Sequence, residues 1–309
     1  MKKTQLNQWA ALQAVVDEGS FQKAAVKLHR SQSSVSYAVQ SLEDGLGVEL
    51  LVVQGRKAEL TEAGEALLRR SRSLTAMAQD IEQFAVNLKQ GWEAEVHVSF
   101  ETIYPFADLM KVMSDFESQS RGTRVQLHET ILSGSSEAIT QKRVDIAISP
   151  IVPQGFLGDK LGVMEFVLVA CSSHPLALRD DIIEENELSQ YLQLVIRDSG
   201  KDHGKGIDER KSERKDGGWL KAEKRWTVGH FATAISLLKG GTGFARIPKH
   251  LIELELDAGH LRPINLAHKA SFELSYYLVI PSSSSIGPAA QLLGQLIKKH
   301  HLGGDSESS

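Results

Sequence analysis

The sequence predicts a multidomain chain: an N-terminal all-α module closed by a hairpin, one long helix, and a larger α/β region. Three observations lead there. Apolar residues recur at helical spacing near the N-terminus. The stretch from Thr61 to Gln90 holds no proline and only Gly64 among glycines. From Glu95 onward, strand-like and helix-like segments alternate. At 309 residues the chain is also too long for one ordinary domain.

Leu6, Trp9, Leu12, Val15 and Val16 share the face of a first helix. Gly19 suits its C-terminal cap, and Ser20 suits the N-cap of a second helix, Phe21 to His29, whose Ala24, Ala25 and Leu28 turn inward. Ser31 caps a third, with Val35, Val39, Leu42 and Leu46 inward; Gly45 and Gly47 weaken its end. Val48 to Leu60 reads strand, turn, strand, with the turn at Gln54-Gly55-Arg56-Lys57. Three helices followed by a hairpin describe a winged helix-turn-helix.

In the long helix, Leu67, Leu74, Ile81 and Leu88 recur every seventh residue, which predicts a dimer coiled coil rather than packing on the same chain. Beyond it the spacing predicts strand Glu95 to Phe100, helix Tyr104 to Gln119, strand Arg124 to Glu129, helix Ser135 to Lys142 and strand Asp145 to Ser149. The pattern resumes at Phe166 to Cys171 and ends with strand Glu273 to Ile280 and helix Pro288 to His300. The charged run Lys201 to Gly218 reads as a mobile surface loop, with a partner-docking element as the alternative, and Gly303 to Ser309 as a disordered tail.

Composition is that of a globular protein, 41% hydrophobic and 24% charged, and the net charge of −4 gives no basic footprint. No apolar run approaches a membrane span, and the first residues carry no apolar leader, so the cytoplasm is the expected compartment. The single cysteine, Cys171, excludes an intramolecular disulfide and reads as a packed core thiol. No Gly-x-Ser-x-Gly, P-loop or metal-ligand spacing is present, so no catalytic residue, metal or cofactor is expected.

Candidate functional residues follow from the elements. The N-terminal part of a recognition helix reaches base edges, which selects Gln32, Ser33, Ser34, Ser36, Tyr37 and Gln40 on the third helix. Arg30, Arg56 and Lys57 are the phosphate candidates. In open α/β sheets ligands sit beyond the C-terminal ends of strands. That rule selects Ser99, Thr102, Thr130, Ser133, Ser135 and Ser149, then Arg197, Ser199 and His230 further on. Glu101 and Asp198 in the same stretches leave the ligand's charge open.

Several strings resemble LysR-type transcriptional regulators. They are Phe21-Gln22-Lys23-Ala24-Ala25-Val26-Lys27-Leu28-His29, Ser31-Gln32-Ser33-Ser34-Val35-Ser36, Leu42-Glu43-Asp44-Gly45-Leu46-Gly47-Val48-Glu49-Leu50 and Leu60-Thr61-Glu62-Ala63-Gly64. The likeness continues through Val144-Asp145-Ile146-Ala147-Ile148, His174-Pro175-Leu176-Ala177 and Gly240-Gly241-Thr242-Gly243-Phe244-Ala245-Arg246-Ile247-Pro248. It implies a DNA-binding domain over 1–61, a linker helix over 62–91, and a two-lobed periplasmic-binding-protein-like (type II) sensor over 92–302. Lobe one would take 92–162 and 268–302, and lobe two 163–267. It also implies a near-palindromic double-stranded DNA site, a small-molecule effector between the lobes, a dimer or tetramer, contact with RNA polymerase, and no membrane partner. That family often has a Phe, an acidic residue and an Arg leading into the wing, where this chain has Leu51-Val52-Val53 and then Glu59 on the return strand, and Tyr37 stands where an Arg is frequent, so DNA binding should be weaker or more salt-sensitive. The competing readings are a solute-binding protein, disfavoured by the helix-turn-helix, and an α/β enzyme.

Overall fold

The computed structural model describes residues 4–54, 57–200, 222–267, 271–282 and 286–302. Arg56, the run 201–218 and the tail 303–309 lie outside the described residues, and Lys57 enters only through its backbone. The chain divides into two compact units, Met1–Gln90 and Gly91–Ser309.

The first unit holds α1 (Leu6–Glu18), α2 (Phe21–Lys27), α3 (Gln32–Leu46), the hairpin β1 (Leu51–Gln54) and β2 (Lys57–Leu60), and α4 (Glu62–Lys89). Gly19 ends α1 in the left-handed conformation, and the Ser20 hydroxyl accepts from the Lys23 N–H to start α2. α2 stops before the predicted His29, because His29 itself takes φ 52° and turns the chain toward α3. The core gathers Trp9, Leu12, Val15, Ala24, Ala25, Val35, Val39, Leu42, Leu50 and Leu68.

α4 leaves that core by a tight junction. The Thr61 hydroxyl donates to the Glu49 carbonyl (2.7 Å) and accepts from the Gly64 N–H (2.9 Å). A Cβ on Gly64 would lie 2.1 Å from the Leu50 carbonyl oxygen, so only glycine allows this approach. Gln13 of α1 then donates to Ser71 and accepts from Thr75, and Asp17 pairs with Arg72. Leu67, the first member of the heptad seam, packs on the unit's own core. Leu74, Ile81 and Leu88 do not: they are 48%, 64% and 42% exposed.

Among the described residues the second unit is built on a nine-stranded sheet. Its elements are β3 (Glu95–Glu101), α5 (Phe106–Glu117), β4 (Arg124–Thr130), α6 (Ser133–Thr140), β5 (Ile146–Ser149), β6 (Gly158–Cys171), α7 (Glu185–Leu188), β7 (Gln193–Ile196), β8 (Arg225–Val228), α8 (Phe231–Lys239), β9 (Phe244–Pro248), α9 (Glu253–Asp257), β10 (Leu261–Pro263), β11 (Ser271–Val279) and α10 (Pro288–Leu302). The strand order is β4-β3-β5-β11-β6-β9-β7-β8, with β10 on β6. β4-β3-β5 are mutually parallel, as are β9-β7-β8, and between these halves run β11 and β6, antiparallel to each other. Two parallel halves joined by two crossover strands make a two-lobed domain.

β6 begins at Gly158, well before the apolar run at Phe166, because its exposed first residues pair with the end of β11. α5 begins at Phe106 rather than Tyr104. Pro105 occupies the N-cap, and the residue before a proline is disfavoured in helical backbone, so Tyr104 is buried in the preceding turn. Cys171 is half-buried at the end of β6, where hydrogen bonding from Ser173 holds its thiol below the ordinary range; the expected packed core thiol is not what forms.

Candidate functional site

On α3 the inward face is fixed by Val35, Ala38, Val39 and Leu42, all buried. The opposite face, Gln32, Ser33, Ser36, Tyr37 and Gln40, is exposed, with Tyr37 at 76%. Ser31 caps the helix by accepting from the Ser34 N–H (3.2 Å), and Ser33 lies 3.1 Å from the cap hydroxyl. Gln40 donates to Asp44, so its amide is held to the helix. Arg30 is exposed just before the cap. The free N–H groups and positive dipole end of α3 favour a phosphate there, whereas Glu43 and Asp44 make the other end acidic. Glu43 also reaches the wing: its Oε1 accepts from the N–H groups of Leu50 (2.7 Å) and Leu51 (3.1 Å), tying the first wing strand to the recognition helix. Sequence reasoning missed this anchor.

In the second unit, period-two alternation along β3 sends Val96, Val98 and Phe100 into the main core and Ser99 and Glu101 to the other face. Ser99 is fully buried and Glu101 is 2% exposed. Oε1 of Glu101 accepts from the Leu132 N–H (2.6 Å). Burial pushes the Glu101 carboxyl up to about 8, against the opposing hydrogen bonds from Leu132 and Ser135, and the nearby Asp198 charge adds to the rise.

Leu132 has φ 53° and ψ −110°, a strained backbone for leucine. Its neighbours hold it from the other lobe. The Ile131 N–H donates to Ser199 Oγ (2.8 Å), the Ser199 N–H donates to the Ile131 carbonyl (3.1 Å), and the Ser133 N–H donates to Asp198 Oδ1 (3.0 Å). A Cβ on Gly134 would meet Ser199 Oγ at 2.1 Å. One on Gly200 would meet Ser133 Oγ at 2.0 Å. These contacts form a latch between the loop after β4 and the loop after β7.

Beneath the latch lies a cavity of about 70 Å³, walled by Ile131, Leu132, Phe166, Ile196, Phe231 and Phe272, with Glu101 and Arg246 as its charged residues. Phe166 and Phe272, opposite each other on β6 and β11, stack at 4.7 Å between ring centroids, and the Arg246 guanidinium lies over the Phe272 ring at 5.2 Å. Burial pulls the Arg246 pKa down.

None of the nine residues expected to meet a ligand is in the lining of this cavity. Ser135 Oγ lies 2.8 Å from Ser149 Oγ, and the Ser149 hydroxyl donates to the Ile151 carbonyl. Thr130 donates to the Phe100 carbonyl, and Ser133 and Ser199 belong to the latch. The Ser99 and Thr102 hydroxyls are buried without a hydrogen-bond partner. Arg197 and His230 are exposed. Thr130 and Ser199 also line a more open recess with His97 and His128, whose rings stack at 5.7 Å. Among the described residues no cluster of His, Cys, Asp or Glu could hold a metal ion, and no helix is long and apolar enough to cross a membrane.

Two family models match. "Bacterial regulatory helix-turn-helix protein, lysR family" covers residues 6–65, and "LysR substrate binding domain" covers residues 89–301. The uncharacterized HTH-type transcriptional regulator YeeY of Escherichia coli is 29% identical over 266 residues, 85% of this chain and 83% of that protein. The HTH-type transcriptional regulator PunR of Escherichia coli is 28% identical, over 80% of this chain and 78% of that protein. Among solved structures, a variant of Corynebacterium glutamicum OxyR is similar at a TM-score of 0.51 and 23% identity, covering 97% of this chain and 93% of that one. Full-length LysG of Corynebacterium glutamicum gives a TM-score of 0.51 at 17% identity, covering 97% and 98%. The helix-turn-helix with its exposed recognition face, the two-lobed second unit and both family matches agree: the chain belongs to the LysR family of transcriptional regulators.

Proposed function

We propose that this regulator reads a near-palindromic double-stranded DNA site through Gln32, Ser33, Ser34, Ser36, Tyr37 and Gln40. In this reading Arg30, Arg56 and Lys57 meet phosphates, and the chain is not an enzyme. The observation that carries the reading is the sidedness of α3: a fully apolar inner face and an exposed polar N-terminal face on a capped helix. Residues 1–61 bind DNA, 62–91 link and dimerise, and 92–302 sense a small molecule held between the lobes. The exposed Leu74, Ile81 and Leu88 form the seam of a homodimer, two of which pair into a tetramer. The regulator works in the cytoplasm and contacts RNA polymerase at its promoters.

The sensing step needs only a difference in affinity. A ligand shifts the regulator when it binds one arrangement of the assembly better than another. The test is selection of bound sequences from a random DNA pool, repeated with Gln32→Ala. A palindromic motif with one half-site base relaxed by the substitution supports the reading. An unstructured motif, or one untouched by the substitution, refutes it.

A further inference from the structure

The latch is made by the chain alone. The Ile131 N–H donates to Ser199 Oγ (2.8 Å), the Ser199 N–H donates back to the Ile131 carbonyl (3.1 Å), and the Ser133 N–H donates to Asp198 Oδ1 (3.0 Å). The same Asp198 oxygen accepts from the Gly200 N–H (2.9 Å), which presets it for Ser133. Every donor and acceptor in these bonds belongs to one lobe or the other, so the closed arrangement needs no ligand to hold it.

The latch also decides how much room lies behind it. The cavity beneath draws its walls from both lobes, Ile103, Ile131 and Leu132 on one side and Ile196 and Phe231 on the other. Its volume therefore follows the separation of the lobes. Closed, it measures about 70 Å³, about half of the roughly 150 Å³ that receives one benzene ring. A molecule of more than a few heavy atoms does not enter. On the other side of the latch, Thr130, Gly134 and Ser199 line the open recess of about 460 Å³. Gly134 and Ser199 border the recess while Ile131 and Leu132 border the cavity, so the latch partitions one cleft into two. Parted, the two spaces join into a cleft within the roughly 300–1,000 Å³ of small-molecule sites.

Two features make the latch a switch rather than a weld. Ser133 and Ser199 are exposed at its rim, so water competes for their hydrogen bonds. Leu132, between the two latching residues of its loop, is held at φ 53°, a conformation that leucine keeps only while its surroundings enforce it, so opening releases strain. We infer that the latch is an autoinhibitory lock: it shuts the cleft against the effector, and the effector signals by parting the two loops rather than by drawing the lobes together. The inference rests on the reading of the second unit as a small-molecule sensor. A ligand that fits only the parted arrangement shifts the population toward it. The lock thus sets the sign of the response, and loosening it imitates the effector.

The test compares a locked and an opened form of the full chain. Gly134→Cys with Ser199→Cys, in a Cys171→Ser background, locks the latch on oxidation: a Cβ on Gly134 would lie 3.3 Å from that of Ser199, close to the roughly 3.5–4.5 Å of a disulfide. Asp198→Ala with Ser199→Ala removes both side-chain acceptors and opens it. The probe is anilinonaphthalene sulfonate, whose naphthalene alone exceeds the closed cavity. Its affinity, read by fluorescence titration, is expected to rise roughly ten- to hundred-fold from the parent to the opened chain, as a minor open state becomes the major one. The oxidised locked chain excludes the dye, and reductant restores binding. On the DNA site selected from the random pool, the opened chain gives a footprint different from that of the locked chain, and the parent follows the locked one. If the double alanine variant loses its cooperative thermal transition, Gly134→Ala, whose Cβ would meet Ser199 Oγ at 2.1 Å, wedges the loops apart in its place. The inference is overturned if the cysteine pair resists oxidation, if the parent binds dye as tightly as the opened chain, if the oxidised chain still takes it up, or if the opened and locked chains share one footprint. Cross-linking and dye binding need no DNA, so a failed site selection refutes the regulator reading while the dye still decides the lock.

Discussion

Glu101 should make the second unit less stable as pH rises through neutrality. Its carboxyl is held near 8 in the fold against an ordinary value of 4.5. Below 4.5 the folded and unfolded chains both carry the proton, and the favourable term is fully present. Between 4.5 and 8 only the folded chain carries it, so each step up in pH favours unfolding. The slope is about 1.4 kcal/mol per pH unit, or about 4 kcal/mol between roughly pH 5 and pH 8. For a domain of this size that is a fall of about 3–6 °C in melting temperature per pH unit. Other groups titrate in the same window, so the measured quantity is the difference between the parent and Glu101→Gln, which cannot ionise. Scanning calorimetry on the full chain separates the transitions of the two units. The parent should match the variant near pH 5 and fall progressively below it toward pH 8. A difference that stays flat across this range would falsify the burial argument and mean that Glu101 is ionised and solvated in the fold.

Other substitutions test the remaining elements. Gln32→Ala should cost on the order of 1–3 kcal/mol of DNA affinity and relax choice at one base pair, read by fluorescence anisotropy on the selected site; an affinity and a base preference unchanged by the substitution would show that the register of α3 on DNA is different. Ile81→Asp should bury an unpaired charge in the dimer seam, so sedimentation should report a species of half the parent's mass, and a mass equal to the parent's would remove α4 from the interface. Glu43→Ala strips the acceptor from two wing N–H groups at a cost of about 1–3 kcal/mol, and hydrogen exchange at Leu50 and Leu51 should accelerate; protection equal to the parent's would mean the anchor is dispensable. Ser199→Ala removes the acceptor from the Ile131 N–H, and faster exchange at Ile131 without change in the first unit is the expected result.

The first unit was legible in the sequence almost to the residue, because its signals are local. Ser20 and Ser31 each cap the helix that follows them, and the 3.6-residue periodicity sorts Val35, Val39 and Leu42 inward from Gln32 and Ser36 outward. What escaped was the long-range contact of Glu43 with the wing, since nothing near Glu43 distinguishes it from a solvated helix residue.

The second unit was legible as a βαβ pattern and far less as a site. Small polar residues do stand at the strand ends, but Ser135, Ser149, Thr130 and Ser199 spend their hydroxyls on neighbouring loops. The apolar walls of the cavity come from β6, α8 and β11, which no sequence proximity unites. Alternation along β11 marks Phe272 and Leu274 as sharing one face, yet only the pairing of β11 with β6 brings Phe272 onto Phe166.

β6 and β11 are hydrogen-bonded to each other through nine residue pairs, with one shift of register between Tyr276 and Tyr277. A paired ribbon of that length does not slide, because a slip of one residue would turn every side chain to the opposite face. Stretching it apart would break the ladder that carries both lobes. Twist is the soft coordinate left to two adjacent strands. The lobes therefore behave less like a jaw on a loose pin than like two blades on a torsion bar. A rotation of one lobe about the ribbon axis is the motion that would leave this ladder intact.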